Sequence, residues 1–413
     1  MHMELQEHFS INTSQYATLS FRLTAIYCLL NVLLPIITNL LVKRRLKLFF
    51  ASCAFLLLLG HTVVLCGISL KNQALLLAGY LIFGMGSETI SVCCLTFVDS
   101  HWGKSGELGF CLSMLTFSSD ISRVVCTFTF GLFKARIGFL GGIWASMAFC
   151  LVAFGCSLGL CFCVMPPTTT ATSCNEKEPK NERRSILFSR NLWIFCLSYT
   201  AYYQCITPQT VKWHEYLVQK FRITKSHSEW FVSAASLAGA FANPASGLWL
   251  DQKLASTANT QHTFIKTIVF SGQTMFLALV LSLGVSIVLP QCFYFAGMLM
   301  AVQFVAFAFF SSAFWSLVAW WLEGRNASFA YGILVSSFNL LSIASAAVAW
   351  SPFVVQDCTW TTLWTFLLAS LLLGMILFAS LLLPQTLSKD NGHQNQILFQ
   401  EAPNLSNSRC QFH

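Results

Sequence analysis

The feature that most constrains this chain is a series of long apolar runs, each about the length of a bilayer crossing, separated by short polar connections. A hydrocarbon core about 30 Å thick takes roughly 20 apolar residues as a helix. Eleven such runs occur, near Leu19 to Val42, Leu48 to Leu70, Ala74 to Val98, Leu108 to Phe133, Phe139 to Met165, Asn191 to Lys212, Trp230 to Leu250, Thr263 to Leu289, Cys292 to Leu322, Ala327 to Trp350 and Trp360 to Leu383. Lipid offers no partner to backbone N–H and C=O groups, so each run is expected to fold as a helix that satisfies them internally. The composition agrees, with 55% apolar and 10% charged residues in 413, against about 45–50% and 25% for a soluble protein. Too few charges remain to cover a soluble surface. The net charge of +8 is spread along the chain, without the basic face of a nucleic-acid-binding module.

The longest polar stretch, Pro166 to Ser185, leaves five runs before it and six after. Transporters are commonly built as two six-helix halves joined by a linker, and five plus six reads as that plan with its first helix absent. The expected fold is an all-α membrane bundle of about 11 helices in two halves. The expected organisation is a luminal N-terminal segment at 1–18, a helical half at 19–165, a cytoplasmic linker at 166–190, a second half at 191–384 and a disordered tail at 385–413. Cytoplasmic loops carry the excess of Lys and Arg. A cytoplasmic C-terminus puts fifteen such residues in inner loops and seven in outer ones, with the N-terminus and the Asn12-Thr13-Ser14 glycosylation sequon outside.

A charge inside a span costs at least about 2.5–3.5 kcal/mol at its centre, so such residues are functional candidates. Arg22, His61, Glu88, Asp120 and Arg123 qualify, Arg22 least because it lies near a helix end. Glu88 follows Gly84, Gly86 and Ser87, small residues that permit close helix approach. Its carboxylate can bind an amine, pair with an arginine or stay protonated. Asp120 and Arg123 share one helix face at a spacing of three, where they can neutralise each other or serve a substrate. His61 is a candidate polar or proton relay, against the commoner role of a histidine hydrogen-bonded to a neighbouring helix. The second half offers neutral groups instead: Tyr199, Tyr202, Tyr203, Gln204, Gln303, Trp315, Tyr331 and Asn339. Pro208 and Asn243-Pro244 are expected to break or bend their spans. No nucleophile elbow, metal-ligand cluster or phosphate loop occurs at usable spacing, so no catalytic residues, metal or cofactor are expected.

Several segments in order carry a resemblance. Gly84-Met85-Gly86-Ser87-Glu88-Thr89 is followed by Trp102, Lys104, Glu107 and Leu108. Tyr202-Tyr203 precedes Pro208, and Pro244 is followed by Gly247 and Asp251. Phe314-Trp315 leads to Ala330-Tyr331-Gly332 and Ser337-Phe338-Asn339-Leu340. From Asn12 to about Leu383 the chain thereby resembles the major facilitator superfamily, in the branch of a lysosomal dipeptide uniporter. The resemblance implies alternating access, a dipeptide substrate, a lysosomal or endosomal membrane and a glycosylated accessory membrane protein as partner. It assigns the substrate amine to Glu88 and a gating loop motif to Gly247 and Asp251, with Tyr203 and Asn339 on the facing wall. It also brings departures. The position that holds the substrate carboxylate through an arginine is Asp120 here, with Arg123 nearly one turn further on. Ser316 replaces a proline, and Met1 to Tyr16 resembles the outer loop that follows the family's first span.

Two functions follow. One is a transporter of small zwitterionic or cationic solutes, with Glu88, Asp120 and Arg123 as its polar pole. The other is a non-transporting receptor or partner, or a truncated form of such a transporter. They differ in whether the three charges face one cavity or separate neighbours.

Overall fold

The structure is a computed structural model and describes residues 2–103, 106–163, 187, 189–257, 259–289, 291–322, 327–350 and 360–382. The described residues are helical almost throughout: α1 His2–Phe9, α2 Thr13–Asn31, α3 Leu34–Ser69, α4 Gln73–Trp102, α5 Leu108–Cys163, α6 Arg190–Phe221, α7 Lys225–Ala255, α8 Thr260–Val288, α9 Phe293–Trp321, α10 Ala327–Ala349 and α11 Trp360–Leu382. Among the described residues, eight segments are long and apolar enough to cross a membrane. Dividing α5 at its break and adding the more polar α6 and α7 gives the eleven runs of the sequence. Nearly all of the linker expected at 166–190 and the whole tail at 385–413 lie outside the described residues, as does Lys104 of the loop motif.

Local chemistry sets the ends. Asn12 caps α2 by accepting from the Gln15 N–H at 2.8 Å, while the Gln15 side chain accepts from the Asn12 N–H at 3.0 Å. Asn72, Thr224 and Asn259 cap α4, α7 and α8 in the same way. Such caps satisfy N–H groups that the helix itself leaves free. Pro35 falls in the first turn of α3. Its ring removes the donor for the Asn31 carbonyl, so the first apolar run breaks after Asn31.

Several boundaries differ from the sequence reading. The first apolar run is split between α2 and α3, and α3 continues as helix through the basic stretch 43–47 that reads as a connection. The first arm of α5 remains helical past Lys134 and Arg136, and the chain turns at Gly138, whose φ of 81° only glycine adopts readily. The sixth run extends as helix to Phe221, and Lys212 within it has a buried side chain. Helices α6 and α7 run on through Pro208 and Pro244 without interruption.

Helices α2 to α5 pack among themselves, most closely α3 on α4. Helices α6 to α11 form a second group in which α9 packs on both α7 and α8, and α11 on α6 and α8. The groups meet through α5 against α7 and α9, and through α10 against α2, α3 and α4. The main core lies in the second group, where Phe310 stacks on Tyr202 at 4.0 Å between ring centroids and Phe314 and Phe378 close around it.

Candidate functional site

The polar residues of five helices fall in one layer. The nearby ends of α4, α5, α6, α7 and α10 lie on one side of the bundle. There Asp251 meets Gly109, Asp99 lies within Coulombic reach of Tyr331, and Phe195 packs on Trp321. At 1.5 Å per residue, Glu88 is about 21 Å from Trp102 and Asp120 about 18 Å from Leu108. Tyr203 is about 20 Å from Arg190, Asn243 about 18 Å from Ala255 and Asn339 about 18 Å from Ala327. All five therefore sit near mid-depth in a bundle of membrane length.

Glu88 is held by the first group of helices and faces the second. Tyr27 of α2 donates its hydroxyl to Glu88 Oε1 at 2.8 Å and lies 2.6 Å from Ser87 Oγ. Asn339 of α10 approaches the same carboxylate from the second group, while its Nδ2 donates to the Val335 carbonyl at 2.9 Å. Gly84 makes the first contact feasible, since a Cβ there would stand 2.6 Å from the Tyr27 carbonyl oxygen. Asp120 Oδ2 accepts from Asn243 Nδ2 at 3.0 Å, and Arg123 Nη2 lies 3.6 Å from Asp120 Oδ1. The Asn243 side chain is buried, whereas the Arg123 side chain is 60% exposed. Asp120 is thus engaged from the second group, while most of the Arg123 side chain remains exposed.

Two tyrosines join these clusters. Tyr199 lies within Coulombic reach of Glu88, and Tyr203 within that of Asp120 and Arg123. Their rings lie 4.4 Å apart and pack on Phe314, Phe307 and Phe338. The result is an amphipathic wall between a carboxylate and an arginine. His61 stands apart, with Nε2 2.9 Å from Ser146 Oγ in the second arm of α5. Tyr202 turns into the core, where its hydroxyl donates to the Ile268 carbonyl at 3.1 Å. Among the described residues, no group of three His, Cys, Asp or Glu side chains could hold a metal.

Tyr27 and Asn243 are the partners that sequence reasoning missed. Tyr27 is one hydroxyl within an apolar run, and Asn243 was read only as part of a kink. The signal available for both was a hydrogen-bonding side chain in the middle of a span.

A second polar assembly closes the end of the bundle near Asp251. Asp251 Oδ1 and Oδ2 accept from the Gly109 and Phe110 N–H groups at 3.0 and 2.8 Å. The carboxylate thereby caps the first turn of α5 from the other group of helices, where the helix dipole favours negative charge. Gly247, one turn earlier, lets α7 approach, as a Cβ there would be 2.5 Å from Ser113 Oγ. Ser113, Ser246 and Ser312 then link α5, α7 and α9 through contacts of 2.8 and 2.6 Å. At the opposite end Trp350, just past α10, lies 5.7 Å from the Tyr16 ring and 3.9 Å from Lys212 Nζ, which also pairs with Glu215 at 2.9 Å.

Two helical groups enclosing a mid-depth polar layer define the architecture of a solute carrier. Residues 1–312 match the family model of the Major Facilitator Superfamily, and the chain belongs to that family. It is 24% identical over 363 residues to the lysosomal dipeptide transporter MFSD1 of Danio rerio, covering 83% of this chain and 74% of the relative. The corresponding Gallus gallus protein is 22% identical over 304 residues, covering 70% of this chain and 64% of the relative. Among solved structures it is similar to the proton:xylose symporter XylE, with TM-score 0.70, 11% identity and coverage of 92% and 89% of the two chains. The E. coli fucose:proton symporter FucP gives TM-score 0.62 at 14% identity, covering 92% and 93%.

Proposed function

We propose that this chain carries small zwitterionic solutes, dipeptides above all, across a lysosomal or endosomal membrane by alternating access. The observation that carries the reading is the pairing at one depth of a carboxylate, Glu88, with an open guanidinium, Arg123, along the Tyr199–Tyr203 wall. A dipeptide offers an ammonium to the first and a carboxylate to the second, with a peptide group between them. Asp120 at the place of the expected arginine is compatible with this. Its charge is met by Asn243 and Arg123, and Arg123 keeps donors free for a bidentate contact. The two MFSD1 relatives support the same substrate class and membrane.

Glu88, Asp120, Arg123, Tyr203 and Asn339 form the proposed substrate site, and Gly247 and Asp251 the gate. With the C-terminus cytoplasmic, the latched Asp251 end faces the cytosol and the exposed Arg123 side faces the lumen. Substrate binding would then shift the population between states open at one end or the other. Small cationic amines are a second reading, favoured by two carboxylates against one arginine in the layer.

The test is thermal shift of the purified protein with dipeptides, single amino acids and polyamines, because a ligand bound only by the folded state raises the melting temperature. Dipeptide stabilisation that disappears in Glu88→Gln supports the proposal. Stabilisation by polyamines alone selects the second reading, and no response to any ligand favours a non-transporting membrane protein.

A further inference from the structure

Helices α7 and α8 scarcely touch each other, yet both pack closely on α9. The space between them is a crevice of about 790 Å³, floored by α9 through Val302, Val305 and Phe309, within the roughly 300–1,000 Å³ typical of ligand sites. Its walls are two stripes at helical spacing of four. From α7 come Trp249 and Lys253, continued just past its end by Thr257, and from α8 come His262, Lys266 and Phe270. The stripes run in opposite chain directions, so both place cations and hydroxyls at the mouth and an aromatic ring further in. Trp249 packs edge-on to Phe309 at 5.6 Å, which closes the deep end on that side.

We propose that this crevice binds an anionic phospholipid of the leaflet at the Asp251 end, with its phosphate headgroup between Lys253, His262 and Lys266 and an acyl chain along Phe270 and α9. Charge argues for this occupant. No Asp or Glu lines the crevice, Asp251 is turned onto the first turn of α5, and among the described residues neither Lys253 nor Lys266 has an ion-pair partner. Basic pockets between membrane helices recruit anionic headgroups by this complementarity. The gradient from cationic mouth to apolar depth matches an amphiphile with its head at the interface. A soluble anion would leave Phe270, Val302 and Val305 without a partner. The site is separate from the Glu88–Arg123 layer, and its occupancy does not depend on which solute is carried.

The test uses the full chain in detergent micelles and measures by native mass spectrometry the retention of dioleoyl phosphatidylinositol 4-phosphate against dioleoyl phosphatidylcholine. Free inositol 1,4-bisphosphate serves as a soluble competitor. The expected result is a preference for the anionic lipid of about tenfold or more, resistant to the competitor. Lys253→Gln with Lys266→Gln should abolish that preference, and Val302→Trp, which fills the floor, should lower retention. All three positions are exposed, and an unchanged melting temperature without added lipid certifies folding. If the double variant fails to fold, His262→Gln on α8 and Lys253→Gln on α7 are read singly, each lowering the preference. Equal retention of both lipids, a preference unchanged in the charge variants, or displacement by the free headgroup overturns the proposal.

Discussion

Asp251 accepts the backbone N–H of Phe110 at 2.8 Å, joining residues 141 apart in sequence and belonging to different helical groups. With the parallel bond from Gly109, one carboxylate supplies the N-terminal cap that α5 would otherwise draw from its own loop. A cap supplied in trans exists only while the two groups are closed at this end, so the helix terminus and the proposed gate are one element. The serine contacts among α5, α7 and α9 lie immediately inside it.

Asp251→Ala removes both bonds and should weaken the closed arrangement by about 1–3 kcal/mol, roughly 5- to 150-fold in population. Hydrogen exchange read by mass spectrometry should show the amides of Gly109 and Phe110 losing protection. Exchange at the wild-type rate would mean that the carboxylate does not hold the gate.

Gly247→Val places a side chain against Ser113 and the Gly109 carbonyl. Overpacking of this kind costs about 1–3 kcal/mol, so the melting temperature should fall and the same α5 amides should exchange faster. Gly155→Ala is the control, because nothing lies within 4 Å of a Cβ at that position.

Glu88→Gln deletes the negative charge while keeping the shape, and should weaken dipeptide binding about 10- to 150-fold, the worth of a hydrogen bond to a charged group of about 1.5–3 kcal/mol. Tyr27→Phe removes the 2.8 Å bond to Glu88 and should give a smaller loss. Isothermal titration of both variants checks the order, and a Tyr27→Phe effect larger than that of Glu88→Gln would overturn it.

Arg123→Ala should weaken binding of a free dipeptide but leave that of its C-terminal amide nearly unchanged, since only the former presents a carboxylate. Equal losses for both ligands would show that Arg123 acts by holding Asp120, with which it makes its 3.6 Å contact.

Tyr202→Phe separates stability from binding. Among the described residues its hydroxyl bonds only the buried Ile268 carbonyl, so losing the bond should cost about 1 kcal/mol of stability with unchanged ligand affinity. A changed affinity would place Tyr202 in the binding wall with Tyr203.

What could be read before any coordinates was whatever the bilayer imposes one segment at a time. A helix must hide its backbone polar groups within itself, so the apolar runs and the cost of Glu88, Asp120 and Arg123 inside them are properties of each segment alone. That reasoning located the spans and nominated the charges. It misplaced the stretch 43–47, because charged residues can continue a helix, and it gave no sign that Lys212 would be buried.

The partners were decided only by the tertiary structure. Tyr27 against Glu88, Asn243 against Asp120, and Asp251 on the first turn of α5 pair residues from 61 to 142 positions apart. His61 and Tyr202 look alike in sequence to the residues of the polar layer, yet one meets Ser146 and the other the Ile268 carbonyl. Local sequence determines the price of a polar side chain in lipid, while the direction in which its helix is turned by packing determines what offsets it.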